Sequence, residues 1–149
     1  MVIRHGSVYW IDFSPGKGSE PKGCGPGLVI QNNALNDSKL NTVIVLAITS
    51  TLKHGELPGN DSLKKGEANM PKACVINVTQ IKSVDKTSIK EKIGTLSQGK
   101  MYGVIEGMKL VMNINKFTTS LVRNGPAKDE SHLDASISGN EVPPPGGSG

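Results

Sequence analysis

Hydrophobic and polar positions along residues 1–115 follow strand-like patterns more often than helical ones. Ser7 to Phe13 mixes apolar, β-branched and aromatic residues, and Leu28 to Ile30 is a short apolar run of the kind that a buried strand supplies. Thr42 to Thr49 is the clearest strand, since five of its eight residues are Val, Ile or Leu. Ala73 to Val84 is predicted to be a further strand, bent or bulged near Thr79-Gln80.

The clearest helical periodicity lies near the end of this region. Apolar residues recur at three- and four-residue spacing from Met101 to Met112, which predicts one face of a helix with Ser97 as a candidate N-cap. A second stripe consists of glycines spaced by four residues, namely Gly99, Gly103 and Gly107. This spacing either admits the close approach of another backbone or marks a weak helix held by packing. Asp85 to Ile93 is predicted to form one or two helical turns, with Asp85 as N-cap.

Polar and glycine-rich stretches separate these elements. Asn32 to Asp37 is a turn region with room for a short helical turn, Lys53 to Asn60 is a polar loop, and Leu63 to Met70 is expected to hold only short strand or turn. Residues 14–27 alternate glycine and proline, so they are expected to form a loop and neither helix nor central strand. The polar side chains of this loop suit a polyanionic ligand, with one carboxylate available for chemistry. They are Lys17, Ser19, Glu20 and Lys22.

Composition and charge narrow the class of protein. A chain of 149 residues fits about one domain, and its 18 glycines and 3% aromatic content favour a small β-rich body over a helical bundle. The net charge is +4. Residues 1–115 hold 14 Lys and Arg against 9 Asp and Glu, so the basic part of the chain is the part with regular patterning. This charge permits an anionic partner but does not require one.

Cysteine and histidine positions indicate neither a metal site nor a required disulfide. The spacing of Cys24 and Cys74 permits a disulfide without demanding one, and the three histidines show no metal-ligand spacing, so no metal or other cofactor is expected. No signal peptide precedes Val2, and no apolar run approaches the ~20 residues that span a bilayer. The sequence therefore predicts a cytoplasmic protein with reduced thiols and no membrane segment.

Several ordered motifs run through residues 1–115. Residues 6–20 read G-x-x-Y-W-x-D-F-x-P-x-x-G-S-E, residues 28–32 read LVIQN and residues 42–50 read TVIVLAITS. They are followed by LPG at residues 57–59, VINVTQIKSVD at residues 75–85 and the amphipathic helix. In this order and spacing the motifs resemble the MazF/PemK family of toxin endoribonucleases.

The resemblance implies a fold and an activity. The implied fold is mainly β, a small SH3-like curved barrel of the CcdB/PemK type with short helices and a C-terminal helix, which forms a homodimer. The implied activity is that of the toxin in a toxin–antitoxin pair. Such a toxin is a sequence-specific, metal-independent endoribonuclease that cuts single-stranded RNA (mRNA) to 2′,3′-cyclic phosphate and 5′-hydroxyl ends, and a cognate antitoxin protein binds it. Residues 1–115 would form this domain, and residues 116–149 a flexible, low-complexity tail.

The resemblance also suggests roles for individual residues. Thr49 matches the family's catalytic hydroxyl, with Ser50 beside it as the alternative, and Glu20 matches a loop carboxylate near the site. The residues expected along the RNA path are Lys17, Ser19, Lys22, Asn32, Lys53, Leu57, Pro58 and Gln80. Several of these have an equally good structural interpretation, and Gln80 is the first candidate for a buried side chain that bonds to backbone.

One position departs from the family pattern. The residue before the loop's last proline, Pro26, is normally an arginine that contacts the scissile phosphate, and here it is Gly25. Metal-free cleavage requires removal of the 2′-hydroxyl proton, stabilisation of a phosphorane-like transition state and protonation of the leaving oxygen. Because glycine supplies no cation, this form is expected to be catalytically impaired. Two alternatives are a CcdB-like toxin that binds DNA gyrase without catalysis, and an inactive remnant that binds RNA and antitoxin.

Overall fold

The structure is a computed structural model, in which residues 1–114 are described. The six strands are β1 (Ser7–Asp12), β2 (Cys24–Val29), β3 (Thr42–Thr49), β4 (Asp61–Leu63), β5 (Cys74–Asp85) and β6 (Ile89–Thr95). The α-helices are α1 (Asn33–Asn36) and α2 (Gln98–Met112). The chain divides into two units, Met1–Gly107, which holds the whole sheet, and Met108–Gly149, of which residues 108–114 are described. The tail predicted at residues 116–149 lies outside the described residues.

All six strands belong to one antiparallel sheet in the order β4-β5-β3-β2-β1-β6. This sheet is curled into a half-barrel. The prediction of a mainly β, curved fold with short helices and a final helix is therefore confirmed.

One face of the sheet carries a hydrophobic core. Tyr9 and Ile11 alternate along β1, so their side chains point to the same face and are fully buried. Val43 and Val45 alternate in the same way along β3 and join the same cluster. Burial of each aliphatic side chain stabilises the fold by about 1.5–3 kcal/mol. Tyr9 keeps its polar group satisfied, since its hydroxyl donates to the carbonyl of Val2 at 3.1 Å.

A bulge interrupts the long strand β5, where the sequence predicted one. Leu46 of β3 lies opposite Ile81, and Ile48, only two residues further, lies opposite Ile76. The extra residues of β5 therefore fall at residues 77–80. Such an insertion bends the bulged strand and increases its twist, which suits a sheet that curls on itself.

The start of β2 differs from the sequence prediction. Residues 24–27 were expected to belong to a loop, but they are strand, and Pro26 lies opposite Trp10 of β1. Strand β3 pairs with β2 only from Gly27 to Val29. At Pro26, β2 is therefore paired with β1 but not with β3. On the unpaired side facing β3, the missing N–H of proline removes no ladder hydrogen bond.

The segment after β5 also differs from the prediction. Only Lys86–Ser88 forms a helical turn, of the 3-10 type, with Asp85 as its N-cap. The Asp85 carboxylate accepts hydrogen bonds from the amide (2.9 Å) and the hydroxyl (2.8 Å) of Thr87, and these bonds lower the pKa of Asp85. Ile89–Thr95, expected to be partly helical, is the edge strand β6. The backbone groups of β6 form their hydrogen bonds with β1, which is distant in the sequence. Local propensity does not reveal such a partner, so the sequence did not predict this strand.

The remaining polar stretches contain short elements. Helix α1 occupies the turn region expected at residues 32–37, and a 3-10 turn at Leu52–Glu56 begins the stretch expected to be a polar loop. Leu63 to Met70 holds the end of β4 and a second 3-10 turn at Glu67–Asn69, as expected for short strand and turn.

Helix α2 starts where the sequence placed its N-cap. The Ser97 hydroxyl accepts the amide of Lys100 at 3.2 Å. The glycine stripe admits a backbone of the same chain: a β-carbon on Gly107 would overlap the carbonyl oxygen of Gly59. A β-carbon on Gly103 would lie 2.8 Å from a carboxylate oxygen of Asp61. The helix therefore packs through Gly107 on Gly59 and through Gly103 on Asp61, the first residue of β4.

This packing predicts unequal effects of alanine along the stripe. Gly107→Ala is expected to lower the free energy of unfolding by about 1–3 kcal/mol, because its methyl group would displace the Gly59 backbone. Gly99→Ala is the matched control, since a β-carbon there meets no atom within 4 Å. It is expected to leave stability unchanged or raise it by up to about 1 kcal/mol. Urea unfolding measures both, and equal effects would contradict the packing.

Candidate active site

The glycine-rich loop (Ser14–Gly23) and the end of β3 lie at the same end of the sheet. The loop leads into β2, and the antiparallel strand β3 ends beside the start of β2. The register sets Gly27 opposite Ala47. The ladder between β2 and β3 ends at this pair, and Gly25 and Thr49 each lie two residues beyond it on their strands. The fold therefore places at one end of the sheet the two positions that the resemblance assigned to the catalytic arginine and the catalytic hydroxyl.

Position 25 faces open space. Residues 25 and 27 of a strand point to the same face. A β-carbon on Gly27 would lie 2.6 Å from Ile11 and 3.0 Å from Phe13, which are core residues, whereas a β-carbon on Gly25 would meet no atom within 4 Å. Position 25 thus lies on the core face of the sheet, beyond the end of the packed core. A long side chain has room there without displacing a neighbour.

The Thr49 hydroxyl is held in a defined orientation at this place. Thr49 is half-buried, and its Oγ1 accepts the amide of Thr51 at 3.1 Å. The hydroxyl proton remains available for a ligand. Ser50 is exposed and follows the last residue of β3, so it is less constrained than Thr49. Of the two hydroxyls, that of Thr49 is therefore the one with a fixed orientation at this end of the sheet.

The glycine-rich loop is ordered by its own polar groups. Glu20 accepts the amide of Lys17 through Oε1 at 3.0 Å, and the Lys17 carbonyl accepts the amide of Glu20 at 2.9 Å. Lys22 donates from Nζ to the carbonyl of Gly18 at 2.9 Å. The Lys17 ammonium group and the Ser19 hydroxyl are exposed and make no hydrogen bond with the described residues. Of the loop's polar side chains, these two are the most available to an anionic ligand.

The segment after β3 presents Lys53, Leu57 and Pro58 on the surface. Asn60, which the sequence analysis did not single out, holds this segment to β5. Its Nδ2 donates to the carbonyl of His54 (3.0 Å) and to Asn77 Oδ1 (2.8 Å), and its Oδ1 accepts an amide of β5 at 2.9 Å. A lone asparagine after Pro-Gly carries no periodicity, so no signal in the sequence marked it.

Two residues expected along the RNA path differ from the expectation, Asn32 in its location and Gln80 in its burial and hydrogen bonding. Asn32 lies beyond the other end of β2 and caps α1, where its Oδ1 accepts the amide of Ala34 at 2.7 Å. Gln80 lies in the bulge of β5. It was expected to be buried and bonded to backbone, but it is half-buried and makes no hydrogen bond within residues 1–114. Asn77, at the start of the same bulge, is the buried and hydrogen-bonded residue instead.

No arginine of the described residues lies near this site. The sequence contains Arg4 and Arg123. Arg4 pairs with Asp37 and donates to the carbonyl of Ile3 at 2.9 Å, at the end of the sheet that carries α1. Arg123 lies outside the described residues. Within residues 1–114, no three His, Cys, Asp or Glu side chains are grouped as metal ligands. No helix in that part of the chain is long and apolar enough to cross a membrane.

Known proteins resemble this chain in sequence and in fold. A family model described as PemK-like, MazF-like toxin of type II toxin–antitoxin system matches residues 4–112. Endoribonuclease MazF6 of Mycobacterium tuberculosis is 36% identical over 114 residues, which are 76% of this chain and 100% of that protein. Endoribonuclease MazF of Staphylococcus epidermidis is 37% identical over 116 residues, which are 78% and 96% of the two chains.

Solved structures agree on the fold. MazF from Deinococcus radiodurans superposes with a TM-score of 0.65 at 22% identity, over 76% of this chain and 98% of that chain. A mycobacterial endoribonuclease in complex with its cognate antitoxin superposes with a TM-score of 0.56 at 18% identity, over 72% and 90%. The half-barrel fold and the family match of the sequence define the class of protein as a toxin of a type II toxin–antitoxin system. The chain belongs to the PemK-like, MazF-like toxin family.

The two thiols of the chain are predicted to differ in reactivity. Both are free; Cys24, beside Gly25, is exposed, and Cys74 is buried. Burial, with a smaller contribution from the negative charge of Glu67, raises the pKa of Cys74 and lowers its thiolate fraction. In native protein, Ellman's reagent is expected to modify Cys24 at least about tenfold faster than Cys74. Cys24→Ser should remove the fast phase only, and two equally fast thiols would contradict the burial.

Proposed function

We propose that this chain is the toxin of a toxin–antitoxin pair and acts on single-stranded RNA, with catalysis impaired by Gly25. The observation that supports the proposal is that the open position of Gly25 and the oriented hydroxyl of Thr49 lie at the same end of the sheet. The glycine-rich loop of the same end carries Lys17, with a free ammonium group, and Glu20. The curated relatives at 36–37% identity are named endoribonucleases.

The proposed chemistry needs no metal. The 2′-hydroxyl of the RNA attacks the adjacent phosphorus, and the bond to the 5′-oxygen breaks. The products are a 2′,3′-cyclic phosphate and a 5′-oxygen that takes a proton from water to become a 5′-hydroxyl. Glu20 is the only carboxylate of the glycine-rich loop and is our candidate to receive the 2′-hydroxyl proton. Thr49 donates a hydrogen bond to the phosphoryl group. Proton transfer by a positioned group contributes about 10²–10⁴-fold in rate.

Gly25 removes the strongest electrostatic contribution to this reaction. Negative charge collects on the phosphoryl oxygens in the transition state, where a bidentate guanidinium binds more tightly than in the ground state. Loss of one such preorganised donor costs about 3–4 kcal/mol, or about 10²–10³ in rate. RNA binding depends less on this position, because exposed lysines such as Lys17 and Lys53 supply a general attraction to phosphates.

The proposal includes two partners and a compartment. We infer that a cognate antitoxin protein binds this chain, because relatives with the same fold were solved in complex with their antitoxins. RNA is the second partner, through the exposed surface at the Gly25 end of the sheet. The cytoplasm is the compartment in which both are available, and the two free thiols are compatible with its reducing conditions.

The decisive variant is Gly25→Arg. It is expected to raise cleavage of a fluorogenic RNA, with EDTA present, by about 10²–10³-fold over the chain with glycine. Gly25→Arg combined with Thr49→Ala should lose this gain. Gly99→Arg is the matched control, since position 99 is equally open and gains the same charge away from the site; it should give no increase.

Other outcomes separate the alternatives. Equal cleavage by the glycine and arginine forms would mean that position 25 is not in the active site. If neither form cuts RNA and either one inhibits DNA gyrase, the proposal is wrong and a CcdB-like function is right. If the glycine form binds RNA and antitoxin without turnover while the arginine form cuts, the chain as it stands is a binding form of the toxin.

We also propose that two copies associate through the strand-rich side. Ile44 and Ile81 are each 39% exposed, and Ile81 lies opposite Leu46, two residues along from Ile44 on the same face of β3. Light scattering at micromolar protein is expected to give about twice the mass of the 15.7 kDa chain. Ile44→Lys should shift the protein towards the monomer. A monomer mass that does not depend on concentration would contradict the dimer.

A further inference from the structure

Lys82 of β5 reaches the glycine-rich loop from the neighbouring part of the sheet. Its Nζ donates to the carbonyl of Phe13 at 2.7 Å, of Pro15 at 2.9 Å and of Pro21 at 3.4 Å. A lysine ammonium group has three N–H donors, so all three are directed to backbone oxygens. These oxygens belong to both limbs of the loop, which are thus joined at one cation.

A second observation places the same limbs in contact. A β-carbon on Gly16 would overlap the carbonyl oxygen of Pro21 and lie 2.9 Å from the side chain of Lys22. The backbone of Gly16 therefore packs directly on the returning limb. Gly16, Pro21 and the Lys82 ammonium group form a narrow neck, and residues 17–20 lie beyond it.

The ammonium group of Lys82 interacts with the backbone carbonyls of this neck. Lys82 is half-buried, and no carboxylate of the described residues forms an ion pair with it. The carbonyl dipoles are thus its only strong partners, and hydrogen bonds from a charged donor are stronger than neutral ones. A loop with glycine at positions 16, 18 and 23 has high conformational entropy when it is free, so the bonds from Lys82 add to the order that the loop's own hydrogen bonds supply.

We propose that Lys82 is a positioning residue, which holds the neck of the glycine-rich loop closed and so fixes Lys17 and Glu20 relative to the Gly25–Thr49 site. The inference rests on the proposed function, which makes that site the place of RNA cleavage. Lys82 itself does not contact the RNA. Its effect on the reaction passes through the loop backbone.

Amide hydrogen exchange, followed by NMR, tests the closure without any enzymatic assay. The reporters are the loop amides that donate hydrogen bonds, those of Lys17, Glu20 and Gly23. Lys82→Met is expected to raise their exchange rates about tenfold or more while the amides of β3 stay unchanged. Lys82→Arg should keep most of the protection. Lys39→Met, which removes an exposed lysine beside α1, is the matched control and should change nothing.

A second variant covers the case in which Lys82→Met does not fold. Gly16→Ala keeps Lys82 but forces the Pro21 carbonyl away from the neck. The same three amides are expected to exchange faster. Unchanged exchange in whichever of these variants folds would overturn the proposal.

The link to catalysis is tested in the Gly25→Arg form. There, Lys82→Met is expected to lower kcat about 10–10²-fold with less than about a threefold change in KM, since displaced catalytic groups cost turnover. Lys82→Arg should restore most of kcat. If the loop amides exchange faster but kcat is unchanged, Lys82 has only a structural role, and its positioning role is overturned. If the Gly25→Arg form cuts no RNA, the proposed function fails, and the exchange measurement still decides whether Lys82 closes the loop.

Discussion

The close packing of Ile11 and Phe13 over Gly27 is the contact on which the arrangement of this molecule depends. A β-carbon at Gly27 would lie 2.6 Å from the Cδ1 of Ile11 and 3.0 Å from the Cζ of Phe13, so these buried side chains would have to move to admit it. Gly27 lies between β1 and β3, opposite Tyr9 of one and Ala47 of the other, so the packed core reaches this point of the sheet. Two residues further, position 25 is open.

The cations of the chain are divided between structure and surface. The Lys82 ammonium group is used on loop carbonyls, and the guanidinium of Arg4 is used on Asp37 at the other end of the sheet. Lys17 and Lys53 remain exposed around the candidate site. Among residues 1–114, the candidate site therefore has exposed lysines around it but no arginine at its centre. In the proposed reaction, RNA binding depends on the exposed lysines, whereas turnover depends on the charge at position 25. Binding and turnover therefore depend on different residues.

Membership in the PemK-like, MazF-like family defines the scaffold more firmly than the activity. The family match spans residues 4–112, and the fold agrees with MazF structures that are only about one-fifth identical in sequence. Chemistry, by contrast, depends on a few side chains at one end of the sheet. Position 25 is open, so its residue can change without displacing a neighbour, and in the proposed function glycine at this position leaves the site without a charge. Fold and function can thus diverge here at one residue.

The sequence by itself determined the strands with strong local patterns, the bulge near Thr79-Gln80 and the capped final helix. It also singled out Gly25 and Thr49, through the resemblance. Only the tertiary structure decided that residues 24–27 and Ile89–Thr95 are strands and that Lys82 and Asn60 hold the loops. The physical reason is the same in each case. These features depend on hydrogen bonds to partners distant in the sequence, and such a partner leaves no periodicity in the residues around it.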